Sequence, residues 1–254
     1  MQIDDMFKQI IKKFEKAIEI NPNNDKIYNN WGYILWDYAD KKEDIVEKEK
    51  LYKEACEMFE KSTEINPNND LIYCVWGVTL VQLADINKHI QQKEELYEKA
   101  CEKFKKVNEI NPNNDLIYRY WGVNLGKLAD IKTNILEKEK LYKAASEKLK
   151  KAIEINPDDD DSKYNLKNCL RQLVIQEIKK FEKAIEINSN DETAYFELGL
   201  KLLSLVDLER SKKEKERLYK EAFEKFEKAI EINPNDEYSK QNLAICLIHL
   251  RGLK

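Results

Sequence analysis

The tetrapeptide Glu-Ile-Asn-Pro recurs along the chain with its proline at Pro22, Pro67, Pro112, Pro157 and Pro234, and these are all the prolines present. Glu186-Ile-Asn-Ser189 is a sixth copy with serine in the last place, and successive copies stand 45, 45, 45, 32 and 45 residues apart. Proline inside a helix removes a backbone donor and clashes with the preceding turn. A chain that confines proline to one repeat position is therefore cut into helical segments of set length. Four of the six glycines, Gly32, Gly77, Gly122 and Gly199, also share one repeat position. Self-similarity at such a period marks a stacked array of helical units, each burying its apolar face against its neighbours.

Composition agrees with helices. Six glycines and five prolines in 254 residues leave too few turn formers for a sandwich, a barrel or a hairpin-rich sheet. No apolar run approaches the ~18 residues of a membrane span, and mean hydropathy is −0.71. The opening Met1-Gln-Ile-Asp-Asp is acidic where a secretory signal is basic. Five cysteines without close pairing point to free thiols in a reducing compartment. With 44 basic and 48 acidic residues and a net charge of −4, a broad nucleic-acid surface is excluded. The expectation is a soluble, cytoplasmic, helical protein with neither a nucleic-acid nor a membrane partner.

Inside each unit the residues keep fixed offsets. Trp31, Trp76, Trp121 or Leu198 precedes the glycine, and Tyr28, Tyr73, Tyr118 or Tyr195 lies three residues earlier. Three residues after the glycine stands Leu35, Leu80, Leu125 or Leu202. Further on come Ala55, Ala100, Ala145 or Ala222, then Phe59, Phe104, Leu149 or Phe226, and then the proline. Trp-Gly-x-x-Leu followed by Ala, an apolar residue and Pro resembles the tetratricopeptide repeat (TPR) family, from about residue 4 to 250. That resemblance implies an all-α solenoid, a right-handed superhelix of antiparallel helix hairpins, spanning residues 1–254.

A 45-residue unit exceeds the 34 residues of that repeat by 11, about three helical turns, which keeps the packing faces in register. Asp44-x-x-Glu47, Asn134-x-x-Glu137 and Ser211-x-x-Glu214 read as capping boxes opening the second helix of a pair; His89 and Gln92 make a weaker cap. The first helix of a pair (A) is then expected at 25–42 and the second (B) at 45–65, both lengthened. An unpaired B helix at 4–20, five hairpins at 25–65, 70–110, 115–155, 160–187 and 192–232, and a final A helix at 237–250 give about 12 helices. The fourth hairpin carries Lys167 for the glycine and no turn signal between Leu170 and Lys180. It is expected to be a tight corner or one long helix, and any subdivision into 1–157 and 158–254 falls just before it.

Most conspicuous residues read as structure. The tryptophans belong to the helix–helix core, the alternating charge runs to solvated faces held by i,i+4 pairs, and Asp158 to Asp161 to a capping loop. Two histidines and no Cys-x-x-Cys spacing offer nothing to a metal or a Cys–His pair, so no cofactor, no metal, no catalytic residue and no enzymatic activity are expected.

In the TPR family the A helices line a concave groove. By offset from the glycine that face holds Asn29, Asn30, Tyr33, Trp36 and Asp37; then Cys74, Val75, Val78, Val81 and Gln82; then Arg119, Tyr120, Val123, Gly126 and Lys127. The irregular unit adds Tyr164, Asn165, Asn168 and Arg171, and the last full one Phe196, Glu197, Leu200 and Leu203. The resemblance implies a scaffold or adaptor that holds a protein or peptide partner there. Tyr33, Trp36, Tyr120 and Phe196 would anchor it, with Asn29, Asn30, Arg119, Lys127, Asn165, Asn168 and Arg171 supplying polar contacts. These residues do not reproduce the Lys/Asn set with which some TPR proteins clamp a chaperone's C-terminal carboxylates. Two other readings stand beside this one: self-assembly into a homo-oligomer through head-to-tail docking of the terminal half-repeats as a completed hairpin, and a ligand- or peptide-sensing regulatory subunit.

Overall fold

A computed structural model describes residues 2–252 of the chain; residues 1, 253 and 254 of the expected span lie outside the described residues. Eleven α-helices and no strand occur among them: α1 Gln2–Ile20, α2 Asp25–Asp40, α3 Ile45–Ile65, α4 Asp70–Ile86, α5 Ile90–Ile110, α6 Asp115–Ile131, α7 Ile135–Ile155, α8 Asp160–Ile187, α9 Glu192–Asp207, α10 Lys212–Ile232 and α11 Glu237–Gly252. They pack as adjacent antiparallel pairs, which is the architecture of a TPR-type array. The expected helix A of 25–42 ends at Asp40, and helix B runs over 45–65 as the caps dictate.

Side-chain caps set these starts. Asp44 accepts from the Glu47 amide at 2.8 Å, Asn134 from Glu137 at 3.2 Å and Ser211 from Glu214 at 3.4 Å. His89 makes no such bond; instead Asn87 accepts from the His89 amide and donates to Gln92. The first three A helices open on the asparagine two residues after the proline, Asn69 and Asn114 accepting from the amides of Ile72 and Ile117, and later ones on an aspartate at the same place, Asp159 and Asp191 accepting from the amides of Ser162 and Ala194.

The asparagine of Glu-Ile-Asn-Pro has its own task. Asn66, Asn111, Asn156 and Asn233 each donate Nδ2 to the first acidic residue of the A helix 41 residues earlier, Asp25, Asp70, Asp115 and Glu192, at 2.8 to 3.0 Å. At the opposite end of the first two hairpins Tyr52 donates to Asp40 and Tyr97 to Asp85. Each of these hairpins is thus tied at both ends by a hydrogen bond to a carboxylate, a stronger kind than a neutral pair makes.

The chain divides into two compact units. One comprises the chain up to Thr133 together with Glu147–Lys163, the other Asn134–Ser146 together with the chain from Tyr164. In the first unit α1 packs on α2, α2 on α3, α3 on α4, α4 on α5 and α5 on α6, and successive A helices α2, α4 and α6 also touch. Its core holds Tyr28, Leu35, Phe59, Tyr73, Leu80, Phe104 and Tyr118. The glycine position is where A and B backbones approach: a Cβ on Gly32 would lie 2.7 Å from the Phe59 ring, and one on Gly77 2.5 Å from Phe104. Trp76 is buried, while Trp31 and Trp121 are half-buried, the first stacked on Phe14 at 6.0 Å and the second under Lys148 at 3.8 Å.

In the second unit the core gathers Ile178, Leu198, Leu202, Leu205, Leu218 and Phe226. Gly199 repeats the close approach, 2.6 Å from the Phe226 ring. Of the two forms expected for the fourth hairpin, a tight corner or one long helix, the chain takes the second: α8 is a single helix of 28 residues, which lowers the count from about 12 to eleven. Nothing between Leu170 and Lys180 caps or breaks a helix, so hydrogen bonding continues through the would-be corner for about 42 Å. Lys180 meets Glu139 on α7 at 2.5 Å, and α9 returns alongside with Lys201 3.0 Å from Glu177 and Arg171 3.7 Å from Glu209.

Candidate functional site

The A helices of the first unit bring most of the expected residues to one face. On α2, Asn30 and Tyr33 are exposed, and Asn29 and Trp36 half-buried. Tyr33, with 50% of its surface open, leans on Trp36 at 5.4 Å between ring centres. On α4, Cys74, Val75, Val78 and Val81 are half-buried. On α6, Tyr120, Val123 and Lys127 are also half-buried. The apolar members are thus neither sealed nor bare, which is the condition of a floor that a partner can complete.

The polar members are engaged. Trp36 donates its indole N–H to Gln82 on α4, and Lys127 on α6 pairs with Asp85 on α4. Asp37 is bound by Lys41 at 2.6 Å. Arg119 bridges Asp159 at 3.1 Å and Asp161 at 3.2 Å and lies 5.4 Å from the Tyr120 ring. Burial alone would lower the Arg119 pKa, but its bond with Tyr120 and the Asp159 carboxylate more than offset that and hold it above the ordinary value. Asp159 is the mirror case: burial pushes it up, yet the Ser162 hydroxyl and amide and then Arg119 bring it below the usual carboxylate range. Arg119 and Lys127 thus each pair with carboxylates of neighbouring repeats. Asp85 was not singled out by the repeat pattern; its signal was an opposite charge 42 residues from Lys127.

The remaining expected residues lie in the second unit. Asn165 and Arg171 are half-buried and Asn168 exposed on α8, with Arg171 beside Glu209. Phe196 on α9 is half-buried at the edge of the core, its ring 6.0 Å from that of Phe226.

A cleft of about 520 Å³ on the other side of α4, between α3 and α5, was not anticipated. Its floor is Trp76, with the Lys103 ammonium 3.7 Å above the indole, and glutamates and lysines alternate around its rim. Burial pushes the Cys56 thiol up to about 12 and those of Cys74, Cys101 and Cys246 to about 11. At neutral pH these stay protonated and unreactive. No group of His, Cys, Asp and Glu able to hold a metal ion occurs among the described residues.

Comparison with known proteins bears on the same region. The profile of the family described as "Plant specific mitochondrial import receptor subunit TOM20" matches residues 2–120, somewhat less than half of the chain. The repeated glycine–phenylalanine approach and the tied hairpins fix the architecture. The chain has the fold of a tetratricopeptide-type repeat array. Such an architecture is that of a protein–protein interaction adaptor in general. Among solved structures this TPR-type chain is similar to YrrB, described as a TPR protein with an unusual peptide-binding site: 20% identity, 90% of this chain and 96% of that one covered, TM-score 0.47. It is similar also to a thermophilic TPR protein of Thermus thermophilus (18%, 89% and 100%, 0.42) and to pilF of Pseudomonas aeruginosa (15%, 90% and 91%, 0.41). No curated protein matches by sequence. No helix among the described residues is long and apolar enough to cross a membrane.

Proposed function

We propose that the chain is a non-catalytic adaptor that binds a protein partner on the face formed by α2, α4 and α6, through apolar contact and neutral amides rather than through free charges. The observation that carries this is the pairing on that face: Lys127, Arg119 and Asp37 are each held by an opposite charge, leaving Tyr33, Trp36, Val78, Val81 and Tyr120 with Asn29 and Asn30 to meet a ligand. Buried aromatic anchors dominate interface energetics, and rim pairs that are already satisfied add little. The import-receptor family match over 2–120 covers this same stretch and supports a receptor-like capture of another polypeptide. The thiols, none of them in a disulfide among the described residues, support a reducing location such as the cytoplasm.

Selection of peptides from a random library on the full chain tests the proposal. The selected peptides should be rich in apolar and aromatic residues, and their affinity should change little with ionic strength. Val78→Asp should weaken binding at least about tenfold, the order expected when a central contact is lost, whereas Lys106→Glu on α5 should leave it intact. Acidic peptides bound in a steeply salt-dependent way, or full binding by the Val78 variant, would refute the reading.

A further inference from the structure

The cleft between α3 and α5 takes no part in the proposed function, yet its chemistry is particular. Trp76 forms its floor, with Tyr73 stacked beside it, the ring centres 6.4 Å apart and the planes within 16°. Lys103 lies half-buried across the indole, its ammonium 3.7 Å from the ring centre. Among the described residues no carboxylate pairs with that ammonium. Burial lowers the Lys103 pKa, although Glu102 and Glu60 pull the other way. The charged amine is therefore worse placed here than in water, and the ring alone holds it.

The rim carries the opposite charge in excess. Glu60 and Glu64 on α3 and Glu102 on α5 are exposed, and no hydrogen bond or ion pair engages their carboxylates among the described residues. Lys106 and Glu109 cancel each other at 2.7 Å, which leaves Lys105 beside these three acids. Glu60 and Glu64 stand one helical turn apart, a spacing at which like charges repel. The next two B helices relieve that repulsion with Lys105 and Lys150 in the place of Glu60; α3 does not.

We propose that the cleft receives an arginine side chain of a partner polypeptide, which lays its guanidinium on the Trp76 indole among Glu60, Glu64 and Glu102 while Lys103, a placeholder, swings out into solvent. A guanidinium is planar, sheds water more readily than an ammonium and forks to carboxylates. It suits a flat aromatic floor ringed by separate acids, where an ammonium gains less. Displacing Lys103 breaks no ion pair, and the departing ammonium recovers its hydration. One side chain in an open cleft binds weakly by itself, and adds affinity when the same partner is held elsewhere on the chain. The site lies apart from the α2–α4–α6 face and stands or falls independently of it.

Titration of the full chain with end-blocked tetra-arginine tests this, read at the Trp76 indole N–H signal by nuclear magnetic resonance. That signal is the one lost in Trp76→Phe. Tetra-arginine should move it saturably, and less at high salt; tetra-glutamate should leave it in place. Glu60→Gln with Glu64→Gln in one chain should weaken binding at least about tenfold, as the loss of charged partners does. Lys103→Met installs the residue that the preceding unit carries as Met58. It should tighten binding about threefold or more, because the competitor for the seat is gone. Lys105→Met removes the same charge from the rim and should tighten it less. An unmoved signal overturns the proposal, and so does an equal response to tetra-glutamate. Lys103→Met that weakens binding, or tightens it no more than Lys105→Met, overturns it too.

Discussion

At Gly77 an added methyl would lie 2.5 to 3.0 Å from three atoms of the Phe104 ring, a separation that requires ring or backbone to move. Gly77→Ala should therefore lower stability by about 1–3 kcal/mol, the usual range for overpacking, despite the better helix propensity of alanine. Combining it with Phe104→Leu should recover part of the loss, since leucine is the residue that the third long unit uses at the same place, Leu149. Chemical denaturation measures both, and equal stabilities for wild type and Gly77→Ala would contradict the close approach. The glycine and the phenylalanine were each legible in the sequence because their offsets recur, but that they meet is seen only in the structure. The asparagine of Glu-Ile-Asn-Pro was not read beyond its place in the motif: its bond to an acid 41 residues upstream joins the two ends of a hairpin, and no local pattern announces it. Asn111→Ala should cost about 1 kcal/mol, the usual net worth of one hydrogen bond, whereas an unchanged denaturation midpoint would show the bond to be idle.

The helix boundaries followed from caps, and two elements show where capping chemistry runs out as a guide. The first is α8, where the absence of a stop signal left a tight corner and one long helix both open, and the chain takes the unbroken helix. Leu173→Pro should break it, costing about 3 kcal/mol or more, and a second unit that melts as before would mean that α8 is already bent there. The second is α1, held to α2 by a cluster that spacing alone does not reveal. Tyr38 and Lys42 both donate to Asp4, and Phe7 stacks on Tyr38 at 3.8 Å. The bonds from Tyr38 and then Lys42 bring the Asp4 carboxyl down to about 2 from an ordinary 3.8. A depressed acid stabilises the folded state above its unfolded pKa and loses that contribution as pH falls through the folded value. Docking of α1 should accordingly be complete above about pH 4 and weaken toward pH 2. Amide exchange of α1 against pH reads this, and the dependence should vanish in Asp4→Asn; protection that ignores pH in the wild type would contradict it.

At the scale of the whole chain, the repeat period alone was enough to read the all-helical, paired architecture, because proline and glycine were locked to it. The candidate site was legible only as a face. The repeat offset told which residues of α2, α4 and α6 stand together, but whether Arg119 and Lys127 remain available depends on Asp159, Asp161 and Asp85, carboxylates 40 to 42 residues away. Phe196, like Trp36 and Tyr120, is half-buried against the core of its own unit, a degree of burial that the repeat offset does not announce. The central claim is that the α2–α4–α6 face receives the partner. Hydroxyl-radical footprinting of the full chain, with and without a library-selected peptide, tests it most directly. Tyr33, Trp36 and Tyr120 should lose reactivity on binding while Tyr73 and Trp76, in the cleft on the other side of α4, stay unchanged; protection of Tyr73 and Trp76 with Tyr33 and Trp36 still reactive would contradict the account.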